Sequence, residues 1–84
     1  MVGKSRGPIE LPIGAALRRL RRDAGLSQED LGLEAGVQRN FISLIETGMN
    51  QPTITTIARL ARALGLKASE LVQEAEREAQ EHGK

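Results

Sequence analysis

The sequence contains no cysteine, tryptophan or tyrosine, and Phe41 is its only aromatic residue. Without cysteine, neither a disulfide nor a thiolate metal site can brace the fold. The lack of aromatic side chains leaves leucine, isoleucine, valine and alanine to build the core, which favours helices over strands. No apolar run approaches the roughly 20 residues that span a membrane, and no signal-peptide core follows Met1. We therefore expect a soluble, cytoplasmic, all-α protein with one domain.

The formal net charge of +1 conceals an uneven charge distribution. Residues 1–22 contain six basic side chains and one acidic side chain, a net charge of +5, whereas residues 67–84 contain three basic and five acidic side chains, a net charge of −2. A basic region attracts polyanions even when the whole chain is nearly neutral. Charge alone does not distinguish such a region from an ordinary solvated surface.

Helical periodicity predicts five helices. Their predicted spans are 13–24, 28–36, 38–47, 54–64 and 69–79. Each of the second, fourth and fifth helices is preceded or opened by a good N-cap residue, namely Ser27, Thr53 and Ser69. Asp30, three residues after Ser27, completes a capping box in which aspartate replaces the usual glutamate.

The remaining segments are predicted from composition and from the apolar pattern. Residues 1–12 are expected to form a flexible basic arm, because they contain glycine and proline and show little periodicity. Residues 80–84 are expected to form a frayed tail. In the fourth helix, Ile54 is expected to point inward together with Ile57 and Leu60.

The stretch "SQEDLGLEAGVQRNFISLIET", residues 27–47, predicts two short helices joined by a tight turn. Gly36 can adopt the positive φ angle that such a turn requires. Gly32 leaves space for the close approach of a second helix, and Ile42 and Ile45 are expected to be buried. Two helices joined in this way form a helix-turn-helix.

This stretch resembles the helix-turn-helix of the Cro and phage-repressor family, the XRE-type regulators. The flanking stretches "LRRLRRDAGLSQEDL" and "QPTITTIARLARALGL" match the same family, so that the resemblance covers about residues 13–71. It implies a five-helix bundle of the lambda-repressor-like type and a sequence-specific DNA-binding transcriptional regulator, often a repressor. The compact plan is similar to the controller proteins of restriction–modification systems.

The resemblance also implies roles for individual residues. The third helix would lie in the major groove and contact bases through Gln38, Arg39, Asn40, Ser43 and Leu44. Leu44 is a departure from the usual polar residue, and it either contacts a thymine methyl group or only packs. Phosphate contacts would come from Ser27, Gln28, Asn50, Gln51 and Thr53. Arg21 and Glu46 match a structural ion pair that connects the first helix to the third.

One helix-turn-helix reads too few base pairs for operator specificity, so that a homodimer on a palindromic operator is expected. The expected dimer interface involves the fifth helix and comprises Leu66, Leu71, Val72 and Ala75, although intramolecular packing of the same residues is the alternative. Lys4 and Arg6 in the arm could reach along the DNA backbone or into a minor groove.

Two other functions remain open at this point. The first is an antitoxin of the same fold, whose main partner is a toxin protein. The second is an interaction module that no longer binds DNA. An enzyme is not expected, because the sequence has no nucleophile with a plausible base, no recognisable acid pair and no phosphate-binding glycine loop. No cofactor, metal or membrane partner is predicted.

Overall fold

The computed structural model describes residues 11–82 and contains five helices. In chain order they are α1 (Ile13–Asp23), α2 (Gln28–Ala35), α3 (Arg39–Glu46), α4 (Ile54–Ala63) and α5 (Ala68–His82). No strand occurs among these residues, which confirms the predicted all-α class. In the packed bundle, α1 contacts α3 and α5, α2 contacts α3 and α4, and α4 also contacts α5.

Helix α2 begins with the predicted capping box. The Ser27 hydroxyl accepts a hydrogen bond from the Asp30 backbone N–H at 2.9 Å, and the Asp30 carboxylate accepts one from the Ser27 backbone N–H at 3.1 Å. The bond from the Ser27 backbone, helped by the Ser27 hydroxyl, lowers the pKa of Asp30 below its usual value. Because the charged carboxylate is the bonded form, the box stabilises the helix at neutral pH and weakens on strong acidification.

The turn between α2 and α3 depends on two glycines. Gly36 ends α2 with a φ of 70°, in the left-handed region that residues with a Cβ reach only at a cost. At Gly32, a Cβ would lie 2.5 Å from the carbonyl oxygen of Val37. The backbone of the turn comes closest to Gly32, and α3 follows it, with Ile42 Cδ1 at 3.4 Å and the Arg39 backbone nitrogen at 3.6 Å from the same Cβ position.

Helix α5 differs from its prediction at both ends. It begins at Ala68, so that Ser69 lies inside the first turn and is not the N-cap. The first turn is instead closed by Glu70, whose carboxylate accepts a hydrogen bond from the Lys67 backbone N–H at 2.8 Å. The helix also continues to His82, through most of the segment that was expected to fray.

An ion-pair cluster connects the C-terminal half of α5 to α1. Arg19 donates hydrogen bonds from Nε to Glu78 at 2.8 Å and from Nη2 to Glu74 at 2.7 Å. The bond with Glu78, followed by that with Glu74, raises the pKa of Arg19, and the bond from Arg19 lowers the pKa of Glu74. The acidic residues of α5 are therefore partly neutralised by α1 within one chain.

The core combines residues from all five helices. Its largest fully buried side chains are Leu17, Leu31, Ile42, Ile45, Leu60 and Leu71. Ile54 is not part of it: the side chain is 74% exposed, contrary to the prediction. Ile54 is the first residue of α4, where the helix has not yet reached the core.

Two residues of the expected dimer interface are core residues. Leu71 and Ala75 are completely buried within one chain, so that another molecule cannot reach them, and this part of the prediction is wrong. Their burial follows from the packing of α5 against both α1 and α4. Leu66 and Val72 are only partly buried and remain accessible.

Part of the expected N-terminal arm is described by the structure. Leu11 packs against the core and Pro12 is the N-cap residue of α1. The predicted contributions of Lys4 and Arg6 lie outside the described residues, as do residues 83–84. Within the described range, no helix combines the length and the hydropathy that a membrane span requires.

Candidate nucleic-acid interface

Helix α3 buries one face and leaves a row of polar side chains on the other. Ile42 and Ile45 are buried in the core, which fixes the rotation of the helix about its axis. Arg39 and Asn40 are exposed, and Ser43, one turn beyond Arg39, is half-exposed. Residues four apart lie on the same side of a helix, so that these side chains form one surface. Gln38 is also exposed and occupies the N-cap position without making a capping bond through its side chain.

The side chains of this row are available to bind a ligand. Within residues 11–82, Arg39 and Asn40 form no side-chain hydrogen bond or ion pair, and neither does the hydroxyl of Ser43. Arginine can donate two hydrogen bonds to guanine, and asparagine can form a bidentate pair with adenine. Helix α3 carries these groups on its exposed face, and its opposite face is packed in the core. It therefore has the chemistry needed to read base edges.

A buried ion pair fixes the C-terminal end of α3. Arg21 of α1 donates from Nε to Glu46 Oε2 at 2.6 Å and from Nη2 to Glu46 Oε1 at 3.1 Å. The two side chains are only 10% and 2% exposed. The bond to Glu46 raises the pKa of Arg21. The structure therefore contains the ion pair that the family resemblance implies.

The same carboxylate also binds the first residue of α2. Gln28 donates from Nε2 to Glu46 Oε1 at 3.0 Å, and Arg21 Nη1 donates to the Leu26 carbonyl oxygen at 2.7 Å. Glu46 therefore connects the start of α2 and the end of α3 to α1. Sequence reasoning assigned Gln28 only to phosphate, since no local pattern shows that α2 begins beside Glu46.

The other residues predicted to contact phosphate surround the helix ends. The hydroxyls of Ser27 and Thr53 already cap α2 and α4, respectively. Asn50 and Gln51 are exposed and line a groove together with Gly14 of α1 and the end of α3. The structure therefore brings Asn50 and Gln51 to the same side as the end of α3.

The basic N-terminal region contributes fewer free charges than its sequence suggests. Within it, Arg19 and Arg21 are engaged in the ion pairs described above. Arg18 and Arg22 are exposed and form no ion pair with the rest of the described chain. The net charge of +5 therefore overstates the positive charge that α1 can offer to a polyanion.

Arg59 is a basic residue that sequence reasoning did not single out. It is exposed on α4 and lines a groove with Thr56 of the same helix and with Gln38 and Phe41 at the start of α3. It forms no ion pair within the described range. Its position depends on how α4 packs beside α3, and the sequence around it carries no signal for that.

Comparison with known proteins agrees with this geometry. The sequence profile of the family described as "Helix-turn-helix domain" matches residues 12–75, most of the chain. The chain belongs to the XRE-type helix-turn-helix family. This family consists of transcription regulators and is not enzymatic, and the match covers the start of α1 through the middle of α5.

Three relatives illustrate the range of this helix-turn-helix family. An uncharacterised HTH-type transcriptional regulator of Sinorhizobium fredii, y4dJ, is 40% identical over 60 residues, which cover 71% of this chain and 78% of that protein. The crystal structure of the restriction-modification controller protein C.AhdI from Aeromonas hydrophila has a TM-score of 0.69 and 36% identity, covering 73% of this chain and 92% of that chain. The control protein C.BamHI of Bacillus amyloliquefaciens is 32% identical over 65 residues, covering 76% and 80%, respectively.

Proposed function

We propose that this protein is a sequence-specific transcriptional regulator that binds a palindromic operator in double-stranded DNA as a homodimer, in the cytoplasm and associated with the nucleoid. The observation that carries the proposal is the row of unpaired polar side chains on the exposed face of α3. The opposite face of the same helix is fixed in the bundle by Ile42, Ile45 and Glu46. Similarity to the controller proteins C.AhdI and C.BamHI, over 92% and 80% of their lengths, respectively, supports the same function.

In this proposal α3 enters the major groove, and the residues of its exposed face contact base edges. Arg39 reads a guanine through two hydrogen bonds, and Gln38, Asn40 and Ser43 complete the polar contacts. The Glu46 network keeps the start of α2 at a fixed distance from α3, so that contacts to phosphate and to bases are made in one register.

Phosphate contacts come from the residues around the helix ends, including Ser27, Gln28, Asn50, Gln51 and Thr53. Gln28 uses one N–H of its amide for Glu46 and retains a second N–H for a phosphate oxygen. The loop before α4 carries no lysine or arginine. Arg59, beside the start of α3, supplies a cation that this loop lacks.

We infer that dimerisation uses the apolar surface that one chain leaves accessible near the α4–α5 junction. Leu66 and Val72 are half-buried there and carry the interface, whereas Leu71 and Ala75 support it from the core. Two copies related by a twofold axis would place two α3 helices about one turn of DNA apart.

The function can be tested by selecting binding sites from random duplex DNA with the wild type and with Arg39→Ala. We expect the wild type to enrich a palindrome and Arg39→Ala to tolerate other bases at one position of each half-site, with a loss of discrimination of ~1–3 kcal/mol. Arg62→Ala is the matched control, because Arg62 is also an exposed arginine but lies on α4 outside the groove beside α3.

Three results would argue against parts of this proposal. A relaxed preference in Arg62→Ala would show that the effect reflects lost charge and not base reading. A non-palindromic site would contradict the dimer. No enrichment by any of the three proteins would contradict DNA recognition and direct attention to a protein partner, such as a toxin.

The Arg59 contact predicts a change in the salt dependence of binding. For Arg59→Ala, the slope of log K against log[salt] should become less steep by about 0.9 per half-site, because one phosphate contact is lost from each. The affinity of Arg59→Ala should fall by the same factor for the specific site and for unrelated DNA. The slope is measured by fluorescence anisotropy at several salt concentrations, and an identical change in Arg62→Ala would refute a specific contact.

A further inference from the structure

Four large hydrophobic side chains are exposed within the described range, and three of them lie between residues 44 and 54. These three are Leu44, Met49 and Ile54, which are 41%, 72% and 74% exposed, respectively; the fourth, Leu33 of α2, is 78% exposed. Single exposed apolar side chains are common on soluble proteins, whereas a concentration of them points to a binding surface. Of the three, Leu44 lies on the last turn of α3, directly beside the polar row, and Met49 and Ile54 follow it along the chain.

The backbone of the turn after α3 holds Leu44 and Met49 in a fixed relation. The carbonyl oxygen of Leu44 accepts hydrogen bonds from the backbone N–H groups of Met49 at 2.8 Å and of Asn50 at 3.2 Å. The single proton of the Thr47 hydroxyl is shared between the carbonyl oxygens of Ser43 at 3.0 Å and Leu44 at 3.2 Å. The two backbone bonds to Leu44 leave the turn little freedom, so that the backbone position of Met49 is coupled to the end of α3.

Leu44 also belongs to the face of α3 that carries the polar row. It lies one turn after Asn40, and its side chain is 41% exposed, so that a bound molecule can reach it. The proposed base-reading surface is therefore polar at Arg39 and Asn40 and becomes apolar at its C-terminal end. Burying this end against DNA is favourable only if the DNA presents an apolar group there.

We propose that Leu44 and Met49 form an apolar contact for the 5-methyl group of a thymine, and that this contact makes each half-site prefer thymine at one position. The thymine methyl is the apolar group that base edges offer in the major groove. The inference rests on the proposed function, because it requires that α3 lies in that groove. It adds Met49, which lies outside every helix, as a specificity-determining residue.

The test replaces single thymines of the selected operator with deoxyuridine, which lacks only the methyl group. For the wild type, we expect one position per half-site at which deoxyuridine weakens binding about fourfold, the factor that corresponds to burying one methyl-sized group. In Leu44→Ala and in Met49→Ala this penalty should shrink or disappear, whereas the preference for the base read by Arg39 should stay. Affinities are measured by fluorescence anisotropy at one salt concentration.

Two variants control for surface hydrophobicity and for side-chain size. Leu33→Ala removes a leucine of α2 that is more exposed than Leu44, and this variant should keep the full deoxyuridine penalty. Leu44→Met retains an apolar side chain of similar volume, and this variant should show most of the deoxyuridine penalty. All four substitutions are at exposed positions, so that the helical content measured by circular dichroism should not change.

The outcomes separate this inference from the proposed function. A palindromic site without any deoxyuridine-sensitive position, or a penalty that persists in both Leu44→Ala and Met49→Ala, would overturn the methyl contact and leave DNA recognition intact. Loss of dimerisation in Met49→Ala, with an unchanged penalty, would overturn the methyl contact and assign Met49 to contacts between subunits. Failure to select any site would overturn both.

Discussion

Replacing Glu46 with alanine should destabilise the protein by about 3–5 kcal/mol. The substitution leaves the buried guanidinium of Arg21 without its carboxylate partner and removes the acceptor of the Gln28 amide. A loss of this size is a large part of the ~5–15 kcal/mol that stabilises a typical domain. Urea unfolding followed by circular dichroism should show a much lower midpoint with a similar slope.

A double variant distinguishes the cost of a stranded charge from the value of the ion pair. Arg21→Met combined with Glu46→Leu removes both charges and retains apolar volume, and it should recover most of the lost stability. Glu76→Ala removes an exposed carboxylate from α5 and should change stability by no more than about 0.5 kcal/mol. If Glu46→Ala lowered the free energy of unfolding by less than about 1 kcal/mol, water would have to solvate the Arg21 guanidinium in place of the Glu46 carboxylate.

Gly14→Ala should destabilise the protein by about 2 kcal/mol or more. A Cβ at position 14 would overlap the carbonyl oxygen of Ile45 and would lie 3.0 Å from backbone atoms of Glu46. Neither backbone can move without separating α1 from α3, and overpacking of this kind typically costs ~1–3 kcal/mol. Helix propensity alone would make Gly14→Ala stabilising, because alanine is more favourable than glycine in a helix by up to about 1 kcal/mol. The expected change in the free energy of unfolding therefore has the opposite sign.

The exposed neighbour Ala15 gives the matched comparison for Gly14. Ala15→Gly changes helix propensity in the same turn without altering a helix contact, and should cost at most about 1 kcal/mol. Both free energies of unfolding come from urea titrations. If Gly14→Ala were neutral or stabilising, the close approach of α1 and α3 would have to be wrong, together with the position of α3 relative to the Glu46 network.

The helix ends were predictable because each of them depends on residues within one turn. The Ser27–Asp30 box and the Thr53 cap were identified from their side chains, and both are present. The cap of α5 was predicted wrongly at Ser69, since a longer-reaching carboxylate, that of Glu70, bonds the Lys67 backbone N–H one turn earlier. Local chemistry nevertheless placed all five helix starts to within one residue.

The faces of α4 and α5 were less predictable, because burial depends on which helices lie nearby. The apolar residues of α5 suggested a surface for a second subunit, but α1 and α4 both pack on that helix and enclose Leu71 and Ala75. Ile54 has the sequence character of a core residue and nevertheless lies in solvent. An apolar pattern gives the face that prefers burial, and it does not identify the partner that buries it.

The sequence by itself determined the helix order, the break at Gly36, the helix-turn-helix family and the set of polar side chains on α3. These features depend on spacing, capping and backbone conformation, which act over a few residues. Only the tertiary structure decided that Glu46 joins Arg21 to Gln28, that Arg59 lies beside the start of α3, and that Leu44 and Met49 stay exposed in the packed bundle. The contacts of Glu46 and Arg59 join helices far apart in the chain, and the exposure of Leu44 and Met49 depends on which surfaces the packed helices leave uncovered.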